Sequence, residues 1–152
     1  MSRITSEIRD FAERLIAYEA KANLSSGAKR PAAFLVFEKL CLQLTALMGN
    51  VGFRAMLSRA LALARTEVPR LRTVSVRDDG FFEGMDELEA QAGPKQAAEA
   101  NVILLTSFLG LLVTFIGENL TLRLVRQIWP KLPLGDLDFS NGVQDEDPKQ
   151  PR

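Results

Sequence analysis

The side chains that most often perform catalysis are scarce in this 152-residue chain, which contains no histidine and a single cysteine, Cys41. Ser-His-Asp and Cys-His catalysis, histidine-containing zinc sites and di-iron bundles with Glu-x-x-His pairs all need an imidazole. None of these sites can be built here. Cys41 lies between Leu40 and Leu42 in an apolar helical run, so we expect it to pack as a small core residue that no histidine can activate.

Carboxylates remain available, and they are densest at Asp78-Asp79 and at Asp145-Glu146-Asp147. Neither cluster has the spacing of an EF-hand loop, and Asp79-Gly80 favours a turn. Ser26-x-x-Lys29 has the nucleophile spacing of penicillin-binding enzymes, but the Ser-Asp-Asn and Lys-Thr-Gly elements of those enzymes are missing. We therefore predict no catalytic, cofactor-binding or metal-binding residue. An enzyme that works through carboxylates, serine or lysine in a cleft is the third choice among the function classes.

Arginines are concentrated in the middle of the chain. A helical wheel places Arg54, Arg59 and Arg65 on the polar arc of one predicted helix. Residues 1–77 hold 13 Lys/Arg against 6 Asp/Glu, whereas residues 78–152 hold 6 against 13, so a net charge of zero conceals two oppositely charged halves. This distribution favours contact between the halves or head-to-tail self-association. We expect the arginines to pair with the acidic half; an acidic partner is the alternative.

No RNA-binding or DNA-binding motif accompanies the arginines, and the neutral chain exerts no long-range attraction on phosphates. We therefore expect no nucleic-acid partner.

Residues 102–117 carry no charge, although one quarter of the chain is charged. On a helical wheel, large apolar side chains cover most of this stretch and leave a small, weakly polar stripe of Thr106, Ser107, Gly110, Thr114 and Gly117. Such a helix must be buried. The stripe lets a neighbouring backbone approach, while the other sides need large apolar partners. The alternative is a membrane segment, because the uncharged residues 100–117 cover about 27 Å against about 30 Å of hydrocarbon. The amphipathic continuation beyond Glu118 and the lack of flanking basic clusters favour burial within the protein.

The remaining periodicity predicts helices at roughly 3–22, 32–48, 51–67 and 85–92, and a long helix that begins at Pro94. Alternating residues on both sides of Asp79-Gly80 predict a small β-hairpin that leans on the helices. The expected fold is all-α, a compact helical bundle with a buried central helix and one minor β-hairpin. We predict a single domain over residues 1–139 and a disordered acidic and polar tail over 140–152.

Two segments follow a similar plan, Leu47–Arg54 leading to Pro69 and Phe115–Arg123 leading to Pro130. Each predicts a helix, a glycine break and an arginine-bearing amphipathic helix that ends at proline. An internal repeat would produce this pattern and would pack the two units around a common centre; coincidence is the alternative.

Two runs of sequence carry a family resemblance: Phe115-Ile-Gly-Glu-Asn-Leu-Thr-Leu-Arg-Leu-Val-Arg-Gln-Ile-Trp-Pro130 and Gly52-Phe-Arg-Ala-Met-Leu-Ser-Arg-Ala-Leu61. Through them the chain resembles an uncharacterised family of small helical bacterial proteins over roughly residues 35–140. The resemblance implies a bacterial cytoplasmic origin. It transfers no activity, cofactor or site residue, because none is assigned to that group.

The acidic and hydrophobic segment 131–139 supplies further candidate partner-binding residues, Leu134, Leu137 and Phe139, beside Arg54, Arg59 and Arg65. The segment either packs back over the bundle or acts as a linear motif for a partner.

The N-terminus is charged and amphipathic and lacks the apolar region of a secretory signal, which predicts a cytoplasmic protein. We predict a non-catalytic interaction or assembly module of the bacterial cytoplasm that binds a protein partner or itself and needs no cofactor. The alternative is a membrane-embedded accessory protein in which residues 100–117 form a short transmembrane helix.

Overall fold

The computed structural model describes residues 3–26, 32–77 and 82–132. In chain order the elements are α1 (Arg3–Ser26), α2 (Ala32–Glu67), a 3-10 turn (Pro69–Thr73), β1 (Ser75–Val76), β2 (Phe82–Glu83), α3 (Met85–Ala92), α4 (Pro94–Ile116) and α5 (Glu118–Ile128). The prediction of an all-α bundle with one minor hairpin is confirmed. α1 continues to Ser26, four residues further than predicted, because the first strong helix breakers beyond it are Gly27 and Pro31.

α4 is the central helix of the bundle, and it packs against α1, α2, α3 and α5. Its large side chains fill the core, with Leu104, Leu105, Phe108, Leu109 and Leu112 all buried. Of residues 102–117, six are buried, seven are half-buried, and Thr114, Phe115 and Gly117 are exposed, Phe115 with 74% of its surface. The core side of α4 is therefore covered by the rest of the protein, and whether water or lipid surrounds its exposed side stays a prediction.

Phe108 joins α4 to two distant parts of α2. Its ring makes edge-to-face contacts with Phe37 and Phe53, at centroid separations of 5.9 and 5.7 Å. A straight helix would place those two residues about 24 Å apart along its axis, too far for both rings to reach Phe108. The chain must therefore change direction between them, and it does so at Gly49.

Gly49 and Gly117 break their helices in the same way. Gly49 has φ 83° and ψ 165°, and Gly117 has φ 89° and ψ 157°. This combination is essentially restricted to glycine, because a Cβ strains it. The sequence predicted an interruption at Gly49-Asn50 and a break at Gly117, and both are present. Of Gly49 and Asn50, only Gly49 has non-helical backbone angles.

Replacing Gly117 by alanine is expected to lower the free energy of unfolding by about 2 kcal/mol, because a non-glycine residue would hold this strained conformation. No atom lies within 4 Å of a Cβ built at Gly117, so a steric clash contributes nothing. Urea denaturation followed by circular dichroism measures the change. Gly110→Ala is the matched control: Gly110 is helical, its Cβ also meets nothing within 4 Å, and the variant is expected to be more stable by about 0.5–1 kcal/mol. Equal effects at the two glycines would contradict the strain argument.

The β-hairpin rests on the start of α2. Ser75 pairs with Glu83 and Val76 pairs with Phe82 in antiparallel register, and the predicted turn at 78–81 lies outside the described residues. The ring of Phe82 contacts the ring of Phe37 at 5.1 Å. Two strands of two residues each are too small to be stable alone, so this aromatic contact with the bundle holds the hairpin in place.

Candidate functional site

The three predicted partner-binding arginines lie in the second half of α2 in different environments. The guanidinium of Arg65 donates to the carbonyl oxygens of Leu71 at 3.3 Å and Val74 at 2.6 Å. Arg65 therefore holds the 3-10 turn and the start of the hairpin against α2. Its partners in these bonds are backbone carbonyl groups, whereas the sequence suggested carboxylates of the acidic half. Arg54 is half-buried, and Arg59 is exposed. Binding of an acidic partner by this arc stays a prediction.

Arg9 links the two oppositely charged halves of the chain. Its guanidinium lies 3.7 Å from the carboxylate of Glu99 on α4 and 3.6 Å from that of Glu13 on α1. All three side chains are substantially exposed, so each pair contributes at most a few tenths of a kcal/mol. Contact between the halves is present here, and it is made from α1.

The other candidates, Leu134, Leu137 and Phe139, lie outside the described residues, as does the predicted tail at 140–152. The described part of the chain ends at Leu132, which is buried and whose N–H donates to the carbonyl of Trp129 at 3.1 Å. The choice between a segment that packs back and a linear motif therefore stays open.

Large apolar side chains are exposed beside both glycine breaks. Leu47 and Phe115 each stand two residues before a break, and Leu42 and Val51 also lie near Gly49. Their exposed fractions are 53% for Leu47, 74% for Phe115, 70% for Leu42 and 73% for Val51. We call these four residues the apolar end.

The starts of α2 and α4 lie close together. Phe34 and Phe37, near the start of α2, line the same cavity as Ala97 and Asn101 near the start of α4. Phe37 also contacts Phe108 further along α4. Along the chain, Gly49 follows Phe37 and Gly117 follows Phe108.

A buried carboxylate that the sequence reasoning missed joins two helices and the residue that follows α5. Glu19 is 2% exposed, and its Oε2 accepts from the indole Nε1 of Trp129 at 2.6 Å and from Nζ of Lys39 at 2.5 Å. The three residues belong to α1, to the segment that follows α5, and to α2. A buried carboxylate with a cationic partner and a second donor is a structural anchor, and both lone pairs of Oε2 already accept hydrogen bonds within the protein. The missed signal was that Glu19 continues the apolar row of Phe11 and Leu15.

The small stripe of α4 leaves open space at its glycine. Among the described residues, no atom of a neighbouring element lies within 4 Å of a Cβ built at Gly110. The stripe faces a groove of about 570 Å³ between α1, the end of α2 and α4. The hydroxyl of Thr106 in this groove donates to the carbonyl of Val102 at 2.7 Å, so this polar group is satisfied within its own helix.

Two of the described helices, α2 and α4, are long and apolar enough to cross a membrane by length and composition. The core helices of soluble proteins meet the same criterion, and α2 is divided by the break at Gly49. Within residues 3–26, 32–77 and 82–132, no group of three or more Cys, Asp or Glu is arranged to hold a metal ion.

No protein-family model, curated protein or solved structure shows significant similarity to this chain. The resemblance to small helical bacterial proteins therefore stays a prediction, and the function has to be argued from the geometry.

Proposed function

We propose that this chain is a non-catalytic interaction or assembly module of the bacterial cytoplasm and that the apolar end is its contact surface. The observation that carries the proposal is the exposure of Leu42, Leu47, Val51 and Phe115, which lie near the two helix breaks along the chain. Single exposed apolar residues are ordinary on protein surfaces, whereas a contiguous patch marks an interaction site, so the proposal requires these four side chains to form one patch. Association would remove these side chains from water.

The construction of the breaks supports this role. Each helix breaks at a glycine whose backbone conformation only glycine adopts without strain, so the side chain two residues earlier lies at the end of a helix. Half-buried Met48 and Ile116 pack against the core beside them and extend the apolar area inward. A rigid apolar surface loses little conformational entropy on association, which favours binding.

The charge distribution supports self-association in particular. The halves of the chain carry opposite net charges of equal size, and such a molecule attracts a second copy in a head-to-tail orientation. A protein partner of another kind would use the same apolar contacts without this charge complementarity.

The alternative function is a membrane-embedded accessory protein in which residues 100–117 form a short transmembrane helix. Its support is the length and apolar composition of α4 and α2. It would require the buried leucines of α4 to leave α1 and α2 and to face lipid instead. The proposal of a soluble module keeps those contacts, and for that reason we favour it.

Sedimentation velocity of the purified full-length protein over about 1–100 µM tests the proposal. We expect wild type to form at least a dimer in this range, and the triple variant Leu47→Ser, Val51→Ser, Phe115→Ser to remain monomeric, because a standard interface depends on a few buried apolar residues. Leu63→Ser is the matched control, since Leu63 is also exposed but lies on the groove beside α4. It should associate like wild type.

A pull-down from the native host, with wild type and the triple variant as paired baits, extends the test to other protein partners. A wild-type chain that stays monomeric and captures the same proteins as the triple variant would overturn the proposal. Recovery of the full-length protein in the membrane fraction without detergent would overturn it in favour of the transmembrane alternative.

A further inference from the structure

We propose that a cavity beneath the β-hairpin binds an organic cation, an ammonium or guanidinium group carried on an apolar body. The cavity has a volume of about 460 Å³ and lies between the start of α2, the hairpin, α3 and the start of α4. We call it the hairpin cavity. It is separate from the apolar end, and the proposal does not depend on the function proposed above.

One wall of the hairpin cavity is aromatic. Phe34, Phe37 and Phe82 line it, and the ring of Phe37 is held between Phe82 and Phe108 by edge-to-face contacts at 5.1 and 5.9 Å. Phe34 and Phe82 are half-buried, so part of their surfaces faces the cavity. The face of an aromatic ring attracts a cation, and its apolar surface also takes up an aliphatic chain.

Acidic residues also line the cavity. They are Glu83, Asp86, Glu87 and Glu89, and Arg77 is the one basic residue among the described residues of the lining. None of the four carboxylates makes an ion pair or a side-chain hydrogen bond with another described residue. Asp86 and Glu87 lie in the first turn of α3, where the helix dipole stabilises them. Glu83 is in β2 and Glu89 lies beyond the first turn, so the helix dipole does not account for these two charges.

The rings and the carboxylates together select the class of ligand. An anion would be repelled by the carboxylates, and a neutral apolar molecule would gain nothing from them. An organic cation satisfies both, because its charge compensates the carboxylates and its body covers the phenylalanine rings. The volume lies within the range of small-molecule sites.

Titration of the full-length protein with n-butylguanidinium tests the proposal, with n-butylurea as an uncharged ligand of the same shape. Two-dimensional NMR of the ¹⁵N-labelled protein gives both the location and the affinity. We expect saturable shifts at the amides of the hairpin, α3 and the start of α4, and binding of the cation at least about tenfold tighter than that of the urea. Raising the salt concentration should weaken the binding of the cation and leave the binding of the urea unchanged, because salt screens the carboxylate charges of the cavity.

The double variant Glu83→Gln, Glu89→Gln should weaken butylguanidinium binding about fivefold to tenfold and leave butylurea unchanged. These side chains are exposed, so the variant is expected to fold. Glu67→Gln is the matched control because its exposed carboxylate lines the other groove, and it should bind the cation like wild type. Phe82→Leu keeps most of the apolar volume but removes the ring. It should weaken the binding of butylguanidinium more than the binding of butylurea. Equal affinity for cation and urea, or shifts confined to other surfaces, would overturn the proposal.

The cation could be a free small molecule or a side chain of another protein, and one further titration separates these sources. The tripeptide acetyl-Leu-Arg-Leu-amide presents the same guanidinium on a chain. Tighter binding of the tripeptide than of butylguanidinium identifies a polypeptide source. Weaker binding identifies a free cation, since the cavity then excludes the peptide backbone.

Discussion

Phe108→Ala is expected to lower the free energy of unfolding by about 3–5 kcal/mol, which is the usual cost of removing a fully buried ring from a close-packed core. Phe108 is completely buried, and its ring contacts Phe37 and Phe53 on both sides of the break at Gly49. The substitution therefore leaves a cavity at the point where α4 holds the two halves of α2 together. Small domains have total stabilities of about 5–15 kcal/mol, so a large share of the folded protein would be lost.

The matched control for this prediction lies seven residues further along the same helix. Phe115 is the same residue type in α4, but 74% of its surface is exposed, so Phe115→Ala should change stability by no more than about 0.5 kcal/mol. Urea denaturation of both variants, without detergent and at a concentration at which wild type is monomeric, gives the comparison. Equal losses of unfolding free energy in Phe108→Ala and Phe115→Ala would contradict the packing of Phe108 in the bundle core. A small loss in Phe108→Ala would indicate that the ring of Phe108 faces lipid or solvent.

The central helix and the breaks were predictable because their causes are local. Residues 102–117 are too apolar for a surface helix, and the amphipathic run beyond Glu118 favoured a bundle over a membrane segment, so the central position of α4 could be predicted. Glycine between two amphipathic runs predicted the breaks at Gly49 and Gly117, because glycine alone adopts their backbone conformation without strain. Asp79-Gly80 between two alternating runs likewise predicted the hairpin. In each case a short window of sequence contains the whole physical reason.

The packing around the small stripe could not be predicted in this way. Small residues at Gly110 and its neighbours permit a close approach, but a partner helix must also be positioned there by the rest of the fold. In this chain α2 changes direction at Gly49, and a groove remains beside the stripe. Periodicity describes one helix surface at a time, so it does not tell which surface a neighbouring helix will cover.

The candidate sites were less predictable than the fold. A helical wheel placed Arg65 on a polar arc, but it could not show that the carbonyls of Leu71 and Val74 lie within reach, because that depends on the 3-10 turn after Pro69. The hairpin cavity takes its walls from four elements between Phe34 and Asn101, and no sequence window contains them together. Sites assembled from distant segments become visible only when the fold brings those segments together.

Glu19 shows the same limit most clearly, and it gives the second large expected effect. Glu19→Ala should lower the free energy of unfolding by about 3 kcal/mol. The change leaves the buried indole N–H of Trp129 without its acceptor and removes the anionic partner of Lys39. Lys39 is partly exposed and can regain water, so we place the effect at the lower end of the range for broken buried ion pairs.

Trp129→Phe tests the hydrogen bond separately, because it removes the indole N–H and keeps most of the buried ring. We expect a loss of about 1–3 kcal/mol, since Glu19 retains Lys39 as its partner. The double variant should lose less than the sum of the two single losses, because both remove the same hydrogen bond. Additive losses would show that Glu19 and Trp129 stabilise the protein independently.

Glu13→Ala is the matched control on the same helix. Glu13 is exposed and pairs with Arg9 at 3.6 Å, so its removal should change stability by no more than about 0.5 kcal/mol. Urea denaturation followed by circular dichroism measures all four variants. Trp129 is the only tryptophan in the chain, so its fluorescence gives a second readout in the Glu19→Ala and Glu13→Ala proteins. A shift of the native emission maximum in Glu19→Ala, without one in Glu13→Ala, would place the change at the indole, whereas losses of similar size in both variants would contradict a buried anchor.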